Sequence, residues 1–162
     1  MRQEERAVNE GTDATAHGGA RGSLQLRDQL CFALYSASRS VTARYRPLLD
    51  ELNLTYPQYL VMLVLWEQDE ISVRGLGAAL QLESSTLSPL LKRLEAAGLV
   101  HRERRADDER SVTLTLTPSG LALRDRARAV PLAMSGAMGL TEEQDETVKE
   151  LLRLINDNVS RS

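Results

Sequence analysis

The chain has one cysteine, Cys31, and two histidines, His17 and His101, in 162 residues. A single thiol cannot close an intrachain disulfide, so a disulfide scaffold and a cysteine-rich zinc site are excluded and a reducing compartment is implied. The histidines fall in a glycine-rich arm and in a hairpin, which leaves no metal triad and no Ser-His-Asp arrangement. Phosphate-binding glycine loops of the GxGxxG or GxxxxGK type are missing. Neither metal, cofactor nor enzymatic activity is therefore expected. No apolar run approaches the ~20 residues that span a bilayer, and the first 22 residues hold no apolar stretch of a secretory leader, so a cytoplasmic protein without a membrane partner is expected. An excess of positive charge is also missing: the net charge is −3 and the pI near 5.5. A strongly basic footprint, the usual sign of a nucleic-acid binder, is thus lacking.

What is present is a globular balance, with 42% hydrophobic and 27% charged residues, enough for one core. The charge is segregated: 21–50 holds five Arg against two Asp, whereas 140–162 holds six acids against three bases. Residues 1–23, with four glycines and scattered hydrophobes, read as a flexible arm and 24–162 as the folded domain. Leu30, Leu34, Val41, Leu48 and Leu52 recur at helical spacing, and Pro47 should bend or end that first helix. Thr55 and Pro57 open a second helix to about Glu67, apolar nearly all round and so buried. Ser72 caps a short helix over 73–80, and after a turn at 81–83 another helix runs to Gly98. Leu99 to Arg104 and Ser111 to Thr117 alternate as two antiparallel strands. The predicted fold is mainly α with a small β hairpin: a winged helix-turn-helix over 55–117, flanked by dimerisation helices over 24–52 and 118–162. Pro131, Gly136 and Gly139 should interrupt the helix that starts at Pro118. The last helix, capped at Thr141, carries an apolar stripe of Val148, Leu151, Leu152, Ile155 and Val159, which either pairs two copies or packs on the chain's own core.

Two constellations carry chemistry. In the helix after the turn, Leu87, Leu90, Leu91 and Leu94 share a core side, leaving Ser84, Ser85, Thr86, Ser88, Lys92 and Arg93 to face outward or cap. Small hydroxyls at a helix N-terminus allow close approach to a major groove. In the wing, Arg104, Arg105 and Arg110 join them, with Asp108 placed to orient Arg110 toward a minor groove. Residues 82–110 hold six bases and six acids, so binding must rest on placement and on two half-sites rather than bulk charge. The second constellation is Cys31 with the aromatics, all six of which fall between Phe32 and Trp66. Arg27, Cys31 and Tyr35 share a helix face at i±4, where such donors would stabilise a reactive thiolate, but on the residues alone a lone cysteine flanked by Leu30 and Phe32 reads more readily as a passive core residue.

Four strings, Leu30-Cys31-Phe32-Ala33-Leu34-Tyr35, Leu54-Thr55-Tyr56-Pro57-Gln58-Tyr59-Leu60, Leu90-Leu91-Lys92-Arg93-Leu94-Glu95 and Asp107-Asp108-Glu109-Arg110-Ser111, resemble the MarR family of bacterial winged-helix repressors. The first two resemble its organic hydroperoxide resistance branch. That resemblance implies a homodimer which, reduced, binds double-stranded DNA at an inverted repeat and represses a peroxidase gene. Organic hydroperoxides would oxidise Cys31 to a sulfenic acid. Tyr45 and Tyr56 match tyrosines that reach the thiol from the partner subunit, and Tyr35 matches a pocket tyrosine. With no second, resolving cysteine, the chain is similar to the one-cysteine branch, in which a small cellular thiol must cap the sulfenate or overoxidation follows. Two rival readings stay open at this stage: a repressor answering a small organic ligand with a passive Cys31, and a thiol peroxidase.

Overall fold

The computed structural model describes residues 22–104 and 112–161. They fall into two compact units, one ending at Ser40 and one beginning at Val41. The first contains a single 3-10 turn, Leu26–Asp28, and the start of α1 (Leu30–Asp50). Between them Gln29 is extended, with φ −87° and ψ 112°. This break removes Arg27 from the face that carries Cys31 and Tyr35, because the helical register begins only at Leu30. Arg27 instead faces Asp28 at 3.8 Å.

In the second unit the order is α2 (Tyr56–Glu67), β1 (Glu70–Ser72), α3 (Val73–Leu80), α4 (Ser84–Ala96), β2 (Val100–Arg104), β3 (Val112–Leu116), α5 (Pro118–Ala127), α6 (Ala129–Met138) and α7 (Glu142–Ser160). Local chemistry sets most boundaries. The Gln58 side-chain oxygen accepts from the Thr55 amide at 2.8 Å and starts α2. Ser72 Oγ accepts from the Gly75 amide at 3.0 Å and starts α3, and Thr117 Oγ1 does the same for Gly120 at the start of α5. Thr141 and Gln144 form a reciprocal cap on α7. Pro47 does not end α1, which runs on to Asp50; so near the terminus its missing amide costs a single hydrogen bond. Pro131 acts more strongly, since its ring crowds the carbonyl of Ala127, and the helix breaks there into α5 and α6.

Three strands form the sheet where the sequence suggested two, in the order β1-β3-β2, antiparallel throughout. β1 is only Glu-Ile-Ser, too short for alternation to reveal it. Its pairing makes β3 central and places Ser72 opposite Thr113, which is why the polar Thr113 is buried. Beneath the sheet, α2 supplies the middle of the core through Val61, Met62 and Leu65, and Leu76, Leu87, Leu91, Leu94 and Leu114 close around it. The Trp66 indole N–H donates to the Gly120 carbonyl at 2.9 Å and ties α2 to α5. Across α5 to α7 the apolar side chains Leu121, Leu132, Met138, Leu151, Leu154 and Val159 are exposed in the single chain. Among the described residues no helix is long and apolar enough to cross a membrane.

Candidate functional site

The turn between α3 and α4 is tight. Gln81 takes a left-handed conformation, φ 54°, and the Leu82 amide donates back to the Gly77 carbonyl at 2.9 Å. A Cβ on Gly77 would stand 2.9 Å from the Leu82 carbonyl and 3.3 Å from Leu87, so only glycine lets the two helices close to this spacing. The closure seats Leu87, Leu91 and Leu94 fully in the core, with Leu90 half-buried. The opposite face follows by helical geometry: Ser84, Ser85, Thr86, Lys92 and Arg93 are exposed and Ser88 is half-buried. This arrangement leaves an unobstructed polar surface along α4. From the sheet, Arg102 reaches Glu95 at 3.9 Å, linking β2 to the last turn of α4. Arg104 ends β2 opposite Val112, while the expected contacts Arg105, Asp108 and Arg110 lie outside the described residues.

In the N-terminal unit Cys31 occupies the first turn of α1 and is exposed. Tyr35, one turn further, is also exposed, and its phenol oxygen accepts from Arg39 Nη1 at 3.0 Å. The Arg39 guanidinium lies 5.6 Å from the Tyr35 ring centroid. Arg39 was not among the residues singled out from sequence, although its i+4 spacing from Tyr35 was the available signal.

In the second unit Tyr45 and Tyr56 meet with ring centroids 4.7 Å apart, and Tyr59 joins at 5.9 Å from Tyr45. Tyr59 then meets Trp66 edge-on at 6.3 Å. Tyr59 and Trp66 are the members that sequence reasoning left unassigned. Burial holds the Tyr45 and Tyr59 phenols above the ordinary tyrosine value, with the neighbouring tyrosines as a further cause. The folded state therefore favours the neutral phenols, and the stability they contribute is complete below the unfolded value near 10.0 and lost as pH rises through the folded one. The urea midpoint is expected to fall between about pH 9 and about pH 11, and less so in a Tyr45→Phe, Tyr59→Phe variant; equal slopes would contradict this. Below the cluster an open groove of about 450 Å³ is lined by Tyr59, Leu63, Trp66, Arg124, Arg128 and Pro131.

The family model of the SarA/Rot transcriptional regulators matches residues 43–126. The organic hydroperoxide resistance transcriptional regulator of Bacillus subtilis is 46% identical over 128 residues, 79% of this chain and 85% of that protein. The chain belongs to the MarR-type winged-helix transcriptional regulators. Among solved structures, AbfR of Staphylococcus epidermidis matches this regulator with a TM-score of 0.68 and 38% identity, covering 83% of this chain and 94% of that one. Reduced AbfR bound to DNA gives the same values. Overoxidised AbfR bound to DNA gives 39% identity and a TM-score of 0.68 over 82% and 93% of the two chains. The regulator shares with these structures a mostly helical fold and a small antiparallel sheet.

Proposed function

We propose that this regulator is a peroxide-sensing repressor that binds an inverted-repeat operator as a reduced homodimer and is released when Cys31 is oxidised and capped by a small thiol. The observation that carries the reading is the close, tilted pair Tyr45 and Tyr56, the two phenols expected to reach a partner's thiol, together with a Cys31 open to solvent on the single chain. In the homodimer the exposed apolar residues of α5 to α7 are covered, over 118–162, together with 24–52. The lobe over 55–117 reads DNA: Ser84, Ser85, Thr86 and Ser88 approach the groove, Lys92 and Arg93 hold the backbone, and Arg104, Arg105, Asp108 and Arg110 form the wing contact.

Release follows from geometry. A sulfenic acid adds one oxygen, and the relative AbfR is found on DNA even when overoxidised, so a small oxidation product is a weak lever. A mixed disulfide is bulky enough to separate Cys31 from Tyr45 and Tyr56 of the partner subunit, to shift the helices that carry them and to change the spacing of the two α4 helices. Since that spacing must match the operator repeat, a modest rotation suffices. The test is fluorescence anisotropy of a fragment of the regulator's own promoter with reduced protein, before and after an organic hydroperoxide with a small thiol. Loss of at least about tenfold in affinity is expected, equivalent to about 1.4 kcal/mol; unchanged binding would end the redox reading. The groove beside Tyr59 and Trp66 favours one second reading, release by a small organic ligand, which the same titration under strict reduction would reveal.

A further inference from the structure

Among the described residues the Tyr35–Arg39 pair is the one charge-assisted contact on the α1 face that carries Cys31, and neither the fold nor the proposed DNA contacts use it. Arg39 Nη1 donates to the Tyr35 phenol oxygen at 3.0 Å, and the guanidinium lies 5.6 Å from the same ring. Both side chains are on the solvent side, and neither has another polar partner described in the structure that would explain the pairing. With its oxygen lone pair taken by Arg39, the Tyr35 hydroxyl is left to donate, and Cys31 sits one turn away at the i−4 position, where helical side chains are neighbours. Resting on the peroxide-sensing reading of Cys31, we propose that Tyr35 protonates the alcohol leaving group during oxidation and that Arg39 is the positioning residue that holds the phenol for this step.

The chemistry balances without a further reactant. The Cys31 thiolate attacks the terminal oxygen of the hydroperoxide, an S–O bond forms, and the O–O bond breaks, giving the sulfenic acid and an alkoxide. Sulfur is oxidised by two electrons and the peroxide is reduced to the level of an alcohol. An alkoxide is a poor leaving group, so a proton delivered as the O–O bond lengthens lowers the barrier. The Tyr35 hydroxyl supplies it, and the phenolate left behind is stabilised by the Arg39 cation already hydrogen-bonded to it. Water then returns the proton to Tyr35. Arg39 contacts neither sulfur nor peroxide.

The rate constant for sulfenate formation with an organic hydroperoxide, measured by stopped flow on the full chain, tests the assignment. Arg39→Ala is expected to slow oxidation about tenfold, Arg39→Lys to recover part of the loss, and Arg39→Ala to cost nothing further in a Tyr35→Phe background. Alkylation of Cys31 by iodoacetamide supplies the second readout. Iodide leaves without a proton, so the alkylation rate should be the same in wild type and Arg39→Ala. If alkylation slows by the same factor, Arg39 acts on the sulfur and the assignment is overturned. It is equally overturned if Arg39→Ala oxidises at the wild-type rate or still slows the Tyr35→Phe protein. A wild-type chain that forms no sulfenate at all would instead overturn the peroxide-sensing reading itself.

Discussion

A Cys31→Ser regulator is expected to remain on operator DNA through a hydroperoxide and thiol treatment that strips the wild type from it. Serine replaces one atom and keeps a hydrogen-bonding group. On an exposed position in the first turn of α1 the change should leave the fold and reduced-state affinity within about 0.5 kcal/mol of wild type. What it removes is the only sulfur nucleophile other than the thioethers of four methionines. Those thioethers are oxidised to sulfoxides but cannot take up a thiol, so they cannot form the bulky adduct on which release depends. The two proteins should therefore be indistinguishable when reduced and differ by the full release factor, about tenfold or more, after oxidation. Release of the Ser variant to the same extent would make Cys31 a bystander and direct attention to the groove lined by Tyr59 and Trp66.

The winged helix was legible because its boundaries are written in local chemistry. Ser72, Thr117 and Thr141 cap helices over their own next few residues, and the leucines of α4 declare their buried side by spacing alone. What was not legible depends on partners distant in sequence. β1 exists only because β3, some forty residues on, accepts it, and a three-residue segment has no periodicity of its own. Thr113 is buried for the same reason. The thiol site shows the reverse error: helical spacing placed Arg27 with Cys31, but Gln29 interrupts the register, and the guanidinium that does join the face is Arg39 on the far side of Tyr35. Proximity of Tyr45 to Tyr56 rests on how α1 and α2 pack, so the residues alone gave the tyrosines but not their 4.7 Å pairing. Resemblance to hydroperoxide regulators singled that pair out, where composition could only count aromatics.

Gly120 is where a single methyl group is expected to cost most. It occupies the first turn of α5, where alanine ordinarily stabilises a helix relative to glycine by up to about 1 kcal/mol. Here a Cβ would be driven into the Leu99 carbonyl and meet the Leu116 side chain at 3.2 Å. The carbonyl cannot yield, because the Thr117 amide donates to it at 3.1 Å and the Thr117 hydroxyl donates to the adjoining Gly98 carbonyl at 2.6 Å. Nor can α5 simply withdraw, since the Gly120 carbonyl accepts the buried Trp66 indole and its amide is bound to Thr117 Oγ1. Gly120→Ala should therefore destabilise by about 3 kcal/mol, against the sign of helix propensity. Gly136→Ala in α6 is the matched control, because a Cβ there meets nothing within 4 Å, and it should be neutral or stabilising. Urea unfolding of the two variants at a common protein concentration reads the difference as opposite shifts of the midpoint, with m unchanged. An unmoved midpoint in Gly120→Ala would mean that α5 does not approach the start of the wing this closely. The loss should extend to DNA binding, because the same contacts tie the start of β2 and the end of β3 to α2 and so position the two strands of the proposed wing.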